Sequence, residues 1–269
     1  MIKETAGGMP CKGDQEEGDS MLWASLLKAS GVNVSGLNID DAIVRSQTED
    51  GQTFRSPLRA KNAKNGIKEL NAFSRDMATG FTLAAASDGA PYFVLDAFEN
   101  WIDYVLKNGC RACRDTDGRC IMTPATFWMA SYAGADNVPT GYVLTRFLNT
   151  PYLVTASAIN PKGFTLHLVG VSLFVMIYHY GARKKLPFSL RLAAKILHYR
   201  QPQNAFFAWL AGKNKEAKAI NDAIKSYIQT NGQGSRHQWT WERDDEEQAW
   251  KHSCGWDIDF IDNLLALQL

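Results

Sequence analysis

PYFVLDAFENWIDYVLK, residues 91–107, decides the fold class. Val94, Leu95, Phe98, Trp101, Ile102, Val105 and Leu106 recur at spacings of three and four, which gathers them on one broad helical face. A half-buried strand would alternate apolar and polar residues instead. Pro91 stands where such a helix begins, because proline already holds a helical φ and lacks an N–H that the first turn could not use.

The same period recurs along the chain. It covers Met21 to Lys28 after Asp19, Met77 to Ala86 after Ser74, Thr123-Pro124 to Tyr132, and Gly163 to Tyr180. It returns from Leu186-Pro187 to Tyr199, Gln201-Pro202 to Ala211, Lys215 to Thr230 and Asp257 to Leu267. Several of these segments open on a polar cap or a proline, as helix starts should. Strand alternation hardly appears, so the chain reads as mainly α. The longest apolar run, Phe164 to Tyr178, is interrupted by His167 and Ser172. It falls short of the ~20 residues a bilayer span needs, so it predicts a central buried helix and no membrane span.

No period of 20 to 50 residues repeats, which excludes a regular solenoid. Polar breaks fall at Ser46 to Asn71, at the cysteine segment NGCRACRDTDGRC and at Asn231 to His237. They read as long loops around a site, since none divides the chain into halves of different composition. The predicted organisation is an N-terminal tail over 1–12 and a single helical domain over 13–269. That domain is either (α/α)-barrel-like or a globular multi-helix bundle with long loops around a cleft.

The 269 residues are 45% hydrophobic and 11% aromatic, which excludes a disordered or fibrous chain. Lys and Arg total 29 against 28 Asp and Glu, a balance that points to neither nucleic acid nor an anionic membrane as partner. Met1 to Pro10 lacks the basic start and apolar core of a secretory signal. Cys110, Cys113 and Cys120 crowd into one polar segment, whereas Cys11 and Cys254 are far apart in sequence. A zinc site would want a fourth ligand and a second paired spacing, so a local disulfide or free thiols fit better and no metal is expected. A disulfide would imply work in an oxidising compartment.

The polar residues at helix mouths carry the chemistry. GDQEEGDSMLW, residues 13–23, packs four carboxylates into six positions and then turns apolar. EEGDSMLWASLL, FSRDMATGFTLAAA and CGWDIDFIDNLLAL each set an Asp at the start of an apolar helix. Such residues serve as caps and complement the helix dipole. In a ring or bundle of helices, however, helix starts share a rim, and groups on a rim converge on one cavity. Around them lie SQTEDGQTFRSPLR, with Gln47, Arg55 and Arg59, and RHQWTWERDDEEQAW, with Trp239, Trp241, Glu242 and Trp250. Indole rings beside carboxylates suit sugars, whose C–H faces stack while their hydroxyls hydrogen-bond. Core tryptophan beside a solvated charge run accounts for the same pattern without a ligand.

Other chemistries lack their signatures. There is no G-x-S-x-G elbow, no P-loop and no G-x-G-x-x-G, and His252 lies too close in sequence to Cys254 to imply a dyad. His167 and His179 read as core histidines, although His167, near a helix start, could reach a cleft.

Taken together, GDQEEGDSMLW, SQTEDGQTFRSPLR, FSRDMATGF, GFTLHLVGV, RQPQNAFFAWLAG, WTWER and CGWDIDFIDNLL resemble a lysozyme-like helical domain of phage lysis proteins and of effectors delivered between bacteria by type VI secretion. The architecture is similar to the (α/α) toroids of many glycan hydrolases and lyases. The resemblance spans nearly the whole chain. It implies hydrolysis of peptidoglycan, transfer to the periplasm or cell wall by a secretion machine or phage lysis system, an immunity protein as a further partner, and the C-terminal position in a larger protein.

A glycosidase needs one carboxylic acid to protonate the leaving oxygen, and usually a second carboxylate as nucleophile or base. Neighbouring like charge and apolar surroundings raise the pKa of the acid. Glu17 is the candidate acid, with Asp19 or Asp76 as second carboxylate and Glu242 in reserve. Glu16, Gln47, Arg55, Arg59 and His167 are candidate substrate contacts, Trp241 would stack a sugar, and no cofactor is called for. Two other readings stay open. One is a non-catalytic cell-wall-binding module of a larger protein. The other is a polysaccharide lyase that uses His167 with Tyr178 or Tyr180.

Overall fold

The computed structural model describes residues 5–10, 20–31, 37–68, 73–113, 120–232, 253, 255–267 and 269. Among them the architecture is mainly helical, and the only paired strands are two dipeptides. The contacts divide the chain into two compact units, one built on Glu4–Ala29 and Asn33–Phe147 and the other chiefly on Leu148–Leu269.

In the first unit, residues read from sequence as a tail form a small antiparallel hairpin, β1 (Thr5–Ala6) and β2 (Met9–Pro10). It is docked rather than loose: Met9 is buried, Gly8 O accepts from Asn38 N at 3.2 Å, and Gly7 O accepts from Arg45 Nη2 at 2.7 Å. Helix α1 (Ser20–Ala29) is apolar on almost every side and buried along nearly its whole length. Helix α2 (Ile39–Arg45) is capped by Asn38, carries Asp40 and Asp41 in its first turn, and is tied to α1 by a Lys28–Asp40 ion pair. Helix α3 (Pro57–Lys64) starts on a Ser56 cap with proline in its first turn.

Helix α4 (Arg75–Ala86) packs closely along α1, and Gly80 explains how. A Cβ at Gly80 would lie 2.5 Å from Leu22 Cα, so only a bare backbone admits the approach. Alanine normally favours a helix over glycine by about 1 kcal/mol. Here the sign should reverse, and Gly80→Ala is expected to destabilise the protein by about 1–3 kcal/mol through overpacking. A urea titration measures it, and an unchanged or raised midpoint would contradict this account of the α1–α4 contact.

Helix α5 (Tyr92–Lys107) turns Val94, Phe98, Trp101, Ile102 and Val105 into the core, as its period predicts. Trp101 lies within 5.6–5.9 Å, ring centre to ring centre, of Phe73, Phe81 and Phe98. Helices α6 (Pro124–Tyr132) and α7 (Thr140–Thr145) complete the unit, followed by a 3-10 turn at Arg146–Leu148.

The second unit opens with α8 (Asn149–Ile159) and the apolar α9 (Phe164–Tyr180), which ends on Gly181 in the left-handed conformation. After a 3-10 turn at Arg183–Lys185 come α10 (Phe188–Arg200), α11 (Ala205–Leu210), α12 (Asn214–Asn231) and α13 (Trp256–Ala266). The core of this unit is aromatic. Phe174 of α9 meets Phe206 and Trp209 of α11 and Phe260 of α13 at 5.4–6.3 Å between ring centres. Helix α9 is thus the central buried helix expected from its composition. No helix among the described residues is long and apolar enough to cross a membrane.

Candidate functional site

The segment 46–56, between α2 and α3, is where sequence signal and geometry meet most closely. It is a tight loop: Gln47 bridges Thr53, Phe54 N donates to Ser46 O at 2.8 Å, and Thr48 Oγ1 donates to Asp50 Oδ1 at 2.6 Å. Gly51, at φ 88°, brings the loop against α5 so closely that a Cβ would fall 2.4 Å from Asn100 O. Gln47 completes the docking, because its side-chain N–H₂ donates to Ala97 O at 2.7 Å and to Thr53 Oγ1 at 2.9 Å. A residue expected to meet substrate thus spends one amide hydrogen on the helix and the other inside the loop.

Beyond that loop the chain is pinned by a disulfide. Cys113 and Cys120 are bonded, and Phe54 and Ala60 pack against them in one buried cluster. Cys113 Sγ also lies 3.8 Å from Phe73 O. Phe54 immediately precedes Arg55, Ala60 follows Arg59, and Phe73 lies three residues before Asp76. The segments carrying Arg55, Arg59 and Asp76 therefore share one hub, although they are up to 21 residues apart in sequence. Arg55, Arg59 and Asp76 are half-buried, and each is engaged by further interactions. Asp76 sits in the first turn of α4 and accepts from Ser74 Oγ at 3.1 Å.

The bridge closes only a short loop, so its contribution belongs at the low end of the ~2–4 kcal/mol usual for disulfides. Cys110, at φ 65°, stays a free thiol. Burial, and next the Cys110 thiol beside it, raise the Tyr142 hydroxyl above its usual pKa. Among the described residues no group of three His, Cys, Asp or Glu is placed to hold a metal ion.

Next to the docked loop opens a polar cleft of about 410 Å³, lined by Glu49, Asp50, Asn100, Asp103, Tyr104, Lys107 and Asn108. Asp103 Oδ1 accepts from Asn137 Nδ2 at 2.9 Å. These carboxylates and amides are the groups that sugar hydroxyls would meet. Glu49, Asp50 and Asp103 were not among the candidates read from the sequence. The only local signal for them is the acidic pair ahead of Gly51, because Asp103 reaches the same cleft from α5, 52 residues after Gly51.

The remaining candidates fall elsewhere. Glu16, Glu17, Asp19, Trp241 and Glu242 lie outside the described residues. Asp257, the helix-mouth Asp of the second unit, is buried, and its Oδ1 accepts from Ser253 Oγ at 2.6 Å and from the N–H groups of Gly255 and Ile258 at 3.1 Å. That carboxylate, in the first turn of α13, is spent on the hydroxyl and N–H groups around the start of its own helix. His167 belongs to α9, is fully buried, and lies edge-on to Phe206 at 6.3 Å. It offers no surface to a glycan and no exposed base to the lyase reading.

Burial lowers the His167 pKa to about 3, so its ring is neutral at physiological pH. The unfolded chain protonates this ring below about pH 6.5, whereas the folded chain resists until about pH 3. Stability should therefore fall as pH drops through that window, by up to about 1.4 kcal/mol per pH unit from this group, and lose nothing more to it below. His167→Leu should flatten that acid limb, read as the difference between urea midpoints at about pH 7 and about pH 4.5. An unchanged difference would show that other groups control it.

Compared with known protein families, curated proteins and solved structures, the chain matches none of them.

Proposed function

We propose that the chain is a glycan-strand hydrolase of the lysozyme type, acting on peptidoglycan through a carboxylic general acid. Glu17 is assigned as the acid, Asp19 or Asp76 as the second carboxylate, and Glu242 as reserve. The observation that supports this reading is the docked loop 46–56. Gln47 and Gly51 hold it on α5 beside a cleft lined by three carboxylates and two amides. The disulfide hub gathers the segments of Arg55, Arg59 and Asp76 in the same unit. Polar side chains fixed before substrate arrives lose little entropy on binding, which is what orientation of a sugar chain requires.

The assignment is tested by incubating purified peptidoglycan with the protein and analysing the released muropeptides by mass spectrometry. Hydrolysis adds one water to each broken glycan bond. Products lacking that water would turn the reading to a lytic reaction, and a protein that binds the wall but releases nothing would be a binding module.

A further inference from the structure

The even charge balance of the whole chain conceals a one-sided distribution. Between Asp136 and Glu216 there is no Asp or Glu at all, while ten Lys and Arg residues fall in the same stretch. The fold concentrates several of them in one groove of about 570 Å³ beside α10, lined by Arg183, Lys184, Arg191 and Lys195 among apolar Phe188, Leu192 and Leu210. Lys184, Arg191 and Lys195 are exposed, and none of the ion pairs among the described residues includes them. Arg183 is already held, since it donates to Trp209 O and its guanidinium lies 4.8 Å from the centre of that indole. The three exposed cations are thus available for an external anion.

The apolar side chains of this face are placed against expectation for a surface that meets only water. Phe188 is 71% exposed, Leu192 40% and Tyr199 86%. With Arg191 and Lys195 they form one stripe along α10, at the three- and four-residue spacing that brings side chains to the same side of a helix. No Asn, Gln, Ser, Thr, Asp or Glu lines the groove. Sugar hydroxyls would find no neutral or acidic side chain to hydrogen-bond there. Phe188 supplies the one aromatic ring of the lining, beside aliphatic Leu192, Leu210 and Ala211, whereas single-stranded bases are held by successive stacked aromatic platforms. Cations interleaved with projecting apolar groups match one environment, a lipid headgroup layer, where phosphates meet the cations and the apolar tips enter the acyl boundary.

We propose that the α10 face docks on an anionic phospholipid surface, with Lys184, Arg191 and Lys195 pairing lipid phosphates while Phe188, Leu192 and Tyr199 enter the interface. The contact is peripheral, through a helix lying on the membrane. It stands apart from the glycan reading, because all these residues belong to the second compact unit and none is assigned to the glycan site.

The test is co-sedimentation of the full chain with vesicles of phosphatidylcholine alone and of phosphatidylcholine containing about one-third phosphatidylglycerol. Binding is expected only to the anionic vesicles and should be released as salt is raised, because surface charges are screened within about 10 Å at 0.1 M. Each cation near an anionic surface contributes about 1 kcal/mol, or about fivefold in partitioning, so Arg191→Gln with Lys195→Gln should weaken binding about thirtyfold. Phe188→Ser should weaken binding without changing its salt dependence. All three positions are exposed, and unchanged thermal melts of the variants show that the fold is intact. Equal binding to neutral vesicles, no binding to anionic ones, release by inorganic phosphate beyond that by chloride at equal ionic strength, or tighter binding of a single-stranded oligonucleotide would each overturn the proposal.

Discussion

Glu17→Gln is expected to slow glycan cleavage by about 10²–10⁴-fold, the usual contribution of a positioned acid or base. In barrier terms this is about 3–5 kcal/mol, at 1.36 kcal/mol per tenfold change. Glutamine keeps the size and the hydrogen-bonding outline of the side chain but has no proton to give the leaving oxygen. Stability should hardly change. Helix α1 begins at Ser20, three positions after Glu17, and from the sequence a capping role is expected of Asp19 or Ser20. Asp19→Ala gives the opposite pattern if Asp19 is only a cap, costing about 1 kcal/mol of stability and leaving a folded, active enzyme. Turbidity loss of a cell-wall suspension, run beside thermal melts, separates the two. A Glu17→Gln protein that clears the suspension at the wild-type rate would falsify the acid assignment and pass it to Glu16 or Glu242.

The largest loss of stability should come from Trp101→Ala. Trp101 has no exposed surface, and its indole is surrounded by the rings of Phe73, Phe81 and Phe98. Truncation removes the transfer energy of the side chain and leaves a cavity that the surrounding rings cannot close, at about 3–5 kcal/mol. Whole domains are stable by only about 5–15 kcal/mol, so the first unit would stand close to unfolding. Trp101→Phe provides the contrast. The indole Nε1 is buried with no hydrogen-bond partner, so phenylalanine deletes an unsatisfied donor while keeping most of the aromatic contact. Its cost should be much less than that of alanine. Urea midpoints followed by circular dichroism compare the two, and equal losses would show that Trp101 is held by something other than its ring contacts.

Trp101 was legible as a core residue because its partners on α5 are three and four positions away. The same holds for α4, α6, α9, α10 and α12, whose bounds fall close to those predicted, and a proline beside the first turn marks the start of α6 and α10 locally. Helices α2, α3, α7 and α8 were not anticipated. Helix α3, PLRAKNAK, buries only Pro57 and Ala60, and α7, TGYVLT, buries no residue, so neither has an apolar stripe to detect. The hairpin at Thr5–Pro10 was missed for a similar reason: two-residue strands are too short to show alternation.

The candidate site was legible only as a set of segments. Spacing could not choose among Cys110, Cys113 and Cys120. The pairing follows from a local ladder, Ala112 N to Cys120 O and Met122 N to Cys110 O, each at 2.8 Å, which lies beside the bonded Cys113 and Cys120. Gln47 looked like a ligand for substrate because its neighbours are polar and charged, yet its amide hydrogens go to a carbonyl 50 residues away and to Thr53. Asp257 and Asp76 look alike in sequence, and burial separates the carboxylate spent at its own helix start from the half-buried one.

The helical class and most helix positions are written locally in the chain, because a 3.6-residue period, a cap and a proline are properties of neighbouring residues. The fate of the polar groups is set by tertiary contacts instead. Gln47 and Asp257 are spent inside, His167 is sealed and neutral, and Arg191 and Lys195 face outward with no carboxylate beside them among the described residues. Burial and hydrogen bonding sum contributions from segments far apart in the chain, and no local pattern records where those segments meet.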